Sequence, residues 1–365
     1  MDGRQLALAC AGVLISPVCH SDGAGGAERY LNLLYPRLVE HGFRPHLIGS
    51  VPNWPLPETA VAFTSKWSRR TTLKQFVHLS AERRAVAAVA DELRPRLFHA
   101  QFKREQIGLT DVLARRAPVV WTEHGRFPGG LLEKGLAAGY RLASRRVEAI
   151  ICVSRAVAEQ LGGVVGSSVR LEVVPNAIDT TTMHPATPED RAAARAQLDV
   201  PADARVVAWV GRLTEGKQPV LAAQTGYRLD GVILMAGSGP LSAEVAARAD
   251  GETVRVLGHL ADPSVVYRAA DAFLFTSNGR GEGYPYSLLE AAAYDLPIVV
   301  NAGAGIGDEL RGAAVTVAED SPEALADALM AATSRGESRA WACEHDLVPW
   351  AARHAEIFGS LQGSS

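Results

Sequence analysis

Short apolar runs alternate with longer amphipathic stretches along almost the whole chain. The apolar runs are rich in Val, Ile, Leu and Phe and too short for buried helices. They predict strands at 6–16, 44–50, 96–102, 118–123, 148–153 and 171–175, and again at 205–211, 231–236, 253–257, 272–276, 297–300 and 313–317. Stretches such as "AERYLNLLYPRLVEHG" (27–42) and "LSAERRAVAAVADELRP" (79–95) carry apolar residues every three or four positions and predict helices. Strand–helix alternation implies a parallel sheet covered on both faces. The rhythm breaks once, at "PNAIDTTTMHPATPED" (175–190), which is rich in Pro, Thr and Asp. The expected fold is therefore α/β: two doubly wound, Rossmann-like parallel-sheet domains, 1–180 and 181–347, with a hinge near the break. "VPWAARHAEIFGSLQ" (348–362) reads as one more amphipathic helix after the second sheet is complete. A length of 365 residues agrees with two cores rather than one.

Composition narrows the function classes. An apolar fraction of 47% and a charged fraction of 21% describe an ordinary soluble globular chain. A net charge of −3 gives no basic field, so no nucleic-acid partner is expected. Cys10, Cys19, Cys152 and Cys343 lie far apart with no CxxC pair, which favours buried free thiols over a zinc site or a disulfide framework. "LALAC" (6–10) looks like a lipoprotein cleavage box, but only "MDGRQ" precedes it and the run breaks at Pro17. A first buried strand is the better reading. With no run of bilayer-spanning length, a cytoplasmic location is expected.

In open parallel sheets ligands bind beyond the carboxyl ends of the strands, so the residues just after each strand matter most. After the first comes "HSDGAGGAER" (20–29), where Gly23, Gly25 and Gly26 let bare amides approach a ligand at a helix N-terminus. It is not the dinucleotide fingerprint, because Glu28 stands where the third small residue is needed. An ordinary tight turn is the alternative. In "VVAWVGRLTEGKQP" (206–219) a strand ends at Gly211, followed by Arg212 and, five residues later, Lys217, read as opening a helix. A cation at a helix N-terminus is unfavourable by a few tenths to about 1 kcal/mol unless an anion offsets it. "LMAGSGPL" (234–241) leaves another strand through Gly237 and Gly239.

The richest stretch is "GRGEGYPYSLLEAAAYDLPIVV" (279–300). Pro285 suits a first helical turn, "SLLEAAAY" (287–294) is the helix, and the amides around Tyr284, Pro285, Tyr286 and Ser287 form an anion site that fits a diphosphate. Glu282 precedes the helix and Glu290 lies about a turn inside it, so two carboxylates can reach polyol units on either side of that diphosphate. The pattern describes a nucleoside diphosphate sugar; the alternative is an N-terminal acidic residue plus a solvated helix glutamate.

These motifs together resemble the retaining glycosyltransferases of family 4, with the two-domain GT-B fold, which implies that the two domains face each other across a cleft. The resemblance covers nearly the whole chain and rests on GGAER (25–29), EHG (123–125), "ICVSRAVAEQL" (151–161), "VVPNAID" (173–179), GRL…K (211–217), GSGP (237–240), "VRVLGHL" (254–260) and EGYPYSLLEAAA (282–293). It implies that Glu282 contacts donor-sugar hydroxyls and Glu290 the ribose. Arg212 and Lys217 hold the diphosphate, with the backbone of Gly283 to Ser287, and Gly25 and Gly26 reach it from the other domain. His259 and Leu260 line the base pocket, His124 faces the donor sugar, and helix 348–362 crosses back onto the first domain. Two features depart from the family pattern: "NGRG" lengthens the Ser277–Glu282 connection and can bulge into the cleft, and the glycines of "GAGIGDEL" (303–310) are spread apart.

No nucleophile–base pair is evident, which agrees with the family's route, in which the leaving phosphate deprotonates the acceptor on the same face of the sugar. No metal and no other cofactor is expected, since no Asp-rich motif appears and the two cations can stabilise the developing charge. The partners expected are a nucleotide-sugar donor, UDP preferred over GDP or ADP, and a hydroxyl-bearing acceptor. The basic, aromatic segment "TSKWSRRTTLKQF" (64–76) is either a solvated loop or a surface for a phosphorylated or lipid-linked acceptor or a membrane. The rival readings are a GT-B epimerase of nucleotide sugars, an inactive nucleotide-sugar-binding protein, and an NAD-dependent oxidoreductase, the last disfavoured by its incomplete glycine fingerprint.

Overall fold

The computed structural model describes residues 12–361 except 22, 24, 64–71, 127–130, 168 and 335, with the backbone alone at 72–77, 131–134 and 307. Cys10, the first half of the expected 6–16 strand and most of the 64–76 segment lie outside the described residues. The chain divides into two compact units, Met1–Asn176 with Leu347–Ser365, and Ala177–Asp346.

The first unit contains β1 (Val13–His20), β2 (Phe43–Pro45), β3 (Leu47–Ser50), β4 (Glu58–Thr59), β5 (Leu97–Ala100), β6 (Val119–Glu123), β7 (Ala149–Cys152) and β8 (Arg170–Val173). Its helices are α1 (Gly26–Glu40), α2 (Thr72–Leu93), α3 (Lys103–Leu113), α4 (Leu131–Ser144) and α5 (Arg155–Val165). The strands run in the order β4-β3-β1-β5-β6-β7-β8, with β2 beside β1, and every pairing is parallel. Strand order reverses between β1 and β5.

β1 corrects the sequence expectation, which ended the strand at Pro17. Pro17 lies inside β1, opposite His99 of β5. On its other side β1 pairs with β2 through Val13–Ile15 and with β3 from Val18 onward. The Ile15 carbonyl accepts the His46 N–H at 3.0 Å on that side, and by alternation Pro17 faces the same way. Its missing N–H therefore falls where one neighbour hands over to the next, and no ladder bond is lost. The same break splits the expected 44–50 strand into β2 and β3.

The second unit contains β9 (Val206–Val210), β10 (Val232–Ala236), β11 (Val254–Gly258), β12 (Ala272–Phe275), β13 (Ile298–Asn301) and β14 (Val315–Ala318). Its helices are α6 (Pro188–Gln197), α7 (Pro219–Gly226), α8 (Ser242–Ala246), α9 (Ser264–Ala269), α10 (Tyr286–Ala293), α11 (Pro322–Ala331) and α12 (Glu337–Glu344). The order β11-β10-β9-β12-β13-β14 is again parallel throughout and reverses between β9 and β12. One face is sealed by Trp209, Leu213, Ile233, Met235, Leu274, Leu325 and Leu329, all buried together. Each such side chain contributes about 1.5–3 kcal/mol on burial, which fixes the ends of β9, β10 and β12 in space.

Residues 177–183, part of the expected hinge, are bound to the second unit. Arg339 donates to the carbonyls of Thr180 at 2.7 Å and Met183 at 2.6 Å, and Ile178 pairs with Asp346. The last helix, α13 (Leu347–Ser360), packs on α1 of the first unit, where His354 Nε2 lies 2.5 Å from the Tyr30 hydroxyl. Among the described residues no helix is long and apolar enough to cross a membrane.

Candidate functional site

The second unit gathers polar residues at the reversal point, where the loops after β9 and β12 diverge from the sheet. Such switch points are where open α/β sheets hold ligands. The loops after β9 and β10 touch backbone to backbone: Leu213 N–H donates to Ser238 O at 3.0 Å, and Leu241 N–H to Leu213 O at 2.9 Å. That contact gives Gly237 a reason independent of any ligand. Its φ is +143°, and a Cβ there would lie 1.8 Å from the Gly211 carbonyl oxygen.

Arg212 is exposed and makes no side-chain hydrogen bond or ion pair among the described residues. Lys217 is placed differently from the sequence expectation. It closes a 3₁₀ turn, Glu215–Lys217, and α7 begins only at Pro219, after Gln218 in the left-handed region at φ 44°. The turn is tied to the end of β12: Thr276 Oγ1 donates to Lys217 O at 2.8 Å and Ser277 Oγ to Gly216 O at 3.0 Å. The Lys217 side chain lies over the Phe275 ring at 4.8 Å, and its Nζ reaches both oxygens of Glu282, at 2.8 and 2.9 Å.

Glu282 is 8% exposed and also accepts the Ser277 hydroxyl at 3.0 Å. Behind it stands a residue the sequence did not single out. Asn301, fully buried at the end of β13, accepts Ser277 N–H at 2.8 Å and donates to the Ser277 carbonyl, Gln218 Oε1 and Asp320 Oδ1 at 2.9, 3.1 and 3.0 Å. One amide thus sets the spacing of the loops that carry Lys217 and Glu282. The inserted "NGRG" is a turn with positive φ at Gly279 (68°) and Gly281 (82°), Gly279 packing on the Gly303 carbonyl.

Pro285, expected inside the first helical turn, is instead the N-cap of α10, with φ −66° and ψ 128°, and no side chain caps the helix. Gly283, Tyr284, Tyr286 and Ser287 lead into this uncapped end, which carries the positive pole of the helix dipole. Tyr284 turns its ring away, its hydroxyl 2.8 Å from His345 Nε2. Burial pushes the Tyr284 hydroxyl well above its usual range. Glu290 is 4% exposed and accepts the Tyr267 hydroxyl at 2.6 Å. His259 is exposed and Leu260 half-buried, in the loop that runs from β11 to the helix carrying Tyr267.

In the first unit, Gly25 is the N-cap of α1 and Gly26 its first residue. Glu28, in that first turn, accepts the Ser21 hydroxyl, and a Cβ on Gly25 would meet its Oε2 at 2.8 Å. His124 follows β6, with Nε2 at 2.7 Å from Gln101 Oε1 and its ring edge-on to Tyr30 at 4.9 Å. Beside it is a buried cluster the sequence reading missed. Lys103 pairs with Glu123, which also accepts the Tyr140 hydroxyl at 3.0 Å. Burial lowers the Lys103 pKa while Glu123 opposes the shift. The only sequence signal was position: Lys103 and Glu123 stand at the carboxyl ends of β5 and β6.

Of the cysteines, Cys19 and Cys152 are buried free thiols, and burial pushes Cys152 up to about 12, which makes it unreactive. Cys343 is exposed, a correction to the expectation that all were buried.

Two family models match the chain: Glycosyltransferase Family 4 over residues 24–182 and Glycosyl transferases group 1 over residues 204–334. Among curated relatives, a GDP-mannose-dependent monoacylated alpha-(1-6)-phosphatidylinositol monomannoside mannosyltransferase of Corynebacterium glutamicum is 26% identical over 222 residues. That match spans 57% of this chain but only 58% of the relative. A GDP-mannose-dependent alpha-(1-6)-phosphatidylinositol dimannoside mannosyltransferase of Mycobacterium tuberculosis is 26% identical over 75% of this chain and 73% of its own length. Among solved structures, a glycosyltransferase from Rickettsia africae superposes with a TM-score of 0.79 at 16% identity, over 97% of this chain and 100% of its own. Anabaena HepE in complex with UDP and glucose superposes with a TM-score of 0.75 at 20% identity, over 95% and 99%.

Proposed function

Because this chain belongs to the family 4 glycosyltransferases of GT-B type, we propose that it moves a hexose from a nucleoside diphosphate hexose to a hydroxyl acceptor, with retention at the anomeric carbon. The observation that carries this reading is the Lys217–Glu282 pair beside the uncapped end of α10 and the exposed Arg212. Cation, amides and carboxylate stand together at the switch point, as a diphosphate joined to a sugar requires.

In the proposed reaction the acceptor oxygen bonds to the anomeric carbon as its bond to the diphosphate breaks, and the acceptor proton passes to the leaving phosphate oxygen. Arg212, Lys217 and the α10 amides stabilise the charge that develops on that phosphate, with no metal ion in the step. Glu282 holds sugar hydroxyls, Glu290 the ribose, and His259 with Leu260 the base. The first unit supplies the acceptor site; His124 and the Gly25–Gly26 turn, read from the sequence as facing the donor sugar and the diphosphate, stand at its sheet's carboxyl edge.

UDP is the nucleotide the sequence reading prefers, and HepE was solved with UDP. The two mannosyltransferase relatives are named for GDP-mannose, which makes GDP-mannose the second donor to test and a glycosylated inositol lipid the first acceptor. We place the reaction at the cytoplasmic side, where a peripheral enzyme meets both. A thermal-shift panel of UDP-glucose, GDP-mannose and ADP-glucose tests the donor: the correct one raises the melting temperature by mass action, and no shift with any of them would count against the proposal.

A further inference from the structure

Glu290 does not stand alone in its helix. The Tyr267 hydroxyl donates to its Oε2 at 2.6 Å. Tyr267 comes from α9, the helix that follows the His259–Leu260 loop, and is 2% exposed. Its ring stacks parallel on Tyr294, centroids 5.5 Å apart with 5° between planes, and lies 5.7 Å from Phe273. A buried ring packed against these two aromatics gives its hydroxyl little freedom to follow the carboxylate. The carboxylate must instead hold to the hydroxyl, and an O–H···O⁻ bond of this length is of the strong, charge-assisted kind. That bond restricts the rotamers open to a glutamate with three rotatable bonds.

We propose that Tyr267 is the positioning residue for ribose recognition. By fixing the Glu290 carboxylate it lets the site distinguish a nucleotide with a 2′-hydroxyl from one without. A ligand diol meets a preset acceptor and no longer has to order it, which is the usual gain from preorganisation. This rests on the ribose reading of Glu290 given above, and the two are separable by experiment.

The test is calorimetric titration of the full chain with UDP and 2′-deoxy-UDP, and with GDP and 2′-deoxy-GDP, on wild type, Tyr267→Phe, Glu290→Ala and the double variant. Phe keeps the ring and its stack, and the ratio of the two affinities is taken on one preparation, so any loss of folded protein cancels. The expected result is a ribo preference of about tenfold in wild type, the lower end for one hydrogen bond to a charged acceptor, lost in each single variant, with the double variant no worse than Glu290→Ala. If Glu290→Ala loses the preference and Tyr267→Phe keeps it, the positioning role is wrong and the ribose reading stands. If Glu290→Ala also keeps it, or no nucleotide binds wild type, the ribose reading fails and the inference with it.

Discussion

Lys217 Nζ sits between the two oxygens of Glu282, at 2.8 and 2.9 Å, so the cation assigned to the diphosphate is neutralised by the carboxylate assigned to the sugar. Arg212, at the same edge of the sheet, is exposed and has no such partner among the described residues. The two cations should therefore behave differently when removed. Lys217→Ala leaves Glu282 8% exposed without its counter-ion and should cost about 1–3 kcal/mol of stability. Arg212→Ala should stay within about 0.5 kcal/mol of wild type. Both should cut transfer at least about tenfold, the loss of one charge-assisted contact to the leaving group. Melting curves and turnover on the same samples measure both effects; equal stability of the two variants would contradict the pairing.

Gly237 and Gly25 are constrained by different neighbours. At Gly237 an added methyl meets the Gly211 carbonyl at 1.8 Å with φ at +143°, and Gly237→Ala should cost roughly 3 kcal/mol or more. At Gly25 the obstacle is the end of the Glu28 side chain, 2.8 Å away, on extended backbone. Gly25→Ala should cost about 1 kcal/mol or less, since that side chain can move. Denaturant unfolding of the two variants gives the comparison, and a mild Gly237→Ala would mean the loops do not touch as described.

Acid should loosen the first unit through the last helix. Burial lowers His354 to about 4 from an ordinary value of 6.5, and its Nε2 is bound by Tyr30. Its folded pKa is depressed, so the stability it contributes is present above pH 6.5 and is lost as pH falls through 6.5 toward 4, where only the unfolded chain takes up the proton. The full loss is on the order of 3 kcal/mol. Melting temperature against pH, wild type beside His354→Asn, should show a steeper fall for wild type in that window. Parallel profiles would remove His354 from the account.

Retention and metal independence are tested together by NMR of the product's anomeric proton in a reaction run with excess EDTA. Retained configuration at undiminished rate is expected. An inverted product, or dependence on added magnesium, would contradict the proposed step.

The sequence made the fold class legible because alternation of period is a local property, while the two-residue β4 and the split between β2 and β3 are too short to show in it. It also placed Gly211, Arg212, Gly237, Glu282 and Glu290 on the right elements, since polar residues directly after an apolar run can only be strand-end loops or the helices they start. What it missed depends on neighbours far along the chain. Pro17 continues β1 because two different strands share its flank. Lys217 sits in a 3₁₀ turn because β12 residues hold its carbonyl. Asn301 and Tyr267 look like an ordinary strand end and an ordinary helix aromatic until Ser277 and Glu290 are brought against them. Lys103 and Glu123, twenty residues apart, become a pair only when β5 and β6 align.

In the proposed function the second unit holds a nucleoside diphosphate sugar with Glu290 on the ribose and Glu282 on the sugar. A bare nucleotide carries the first group and not the second. Titration of UDP and of GDP into wild type, Glu290→Ala and Glu282→Ala therefore tests it most directly. Glu290→Ala should weaken the preferred nucleotide by roughly 1.5–3 kcal/mol, while Glu282→Ala should bind it almost as wild type does yet transfer poorly. Equal nucleotide affinity in the two variants, whether retained or lost, would contradict it.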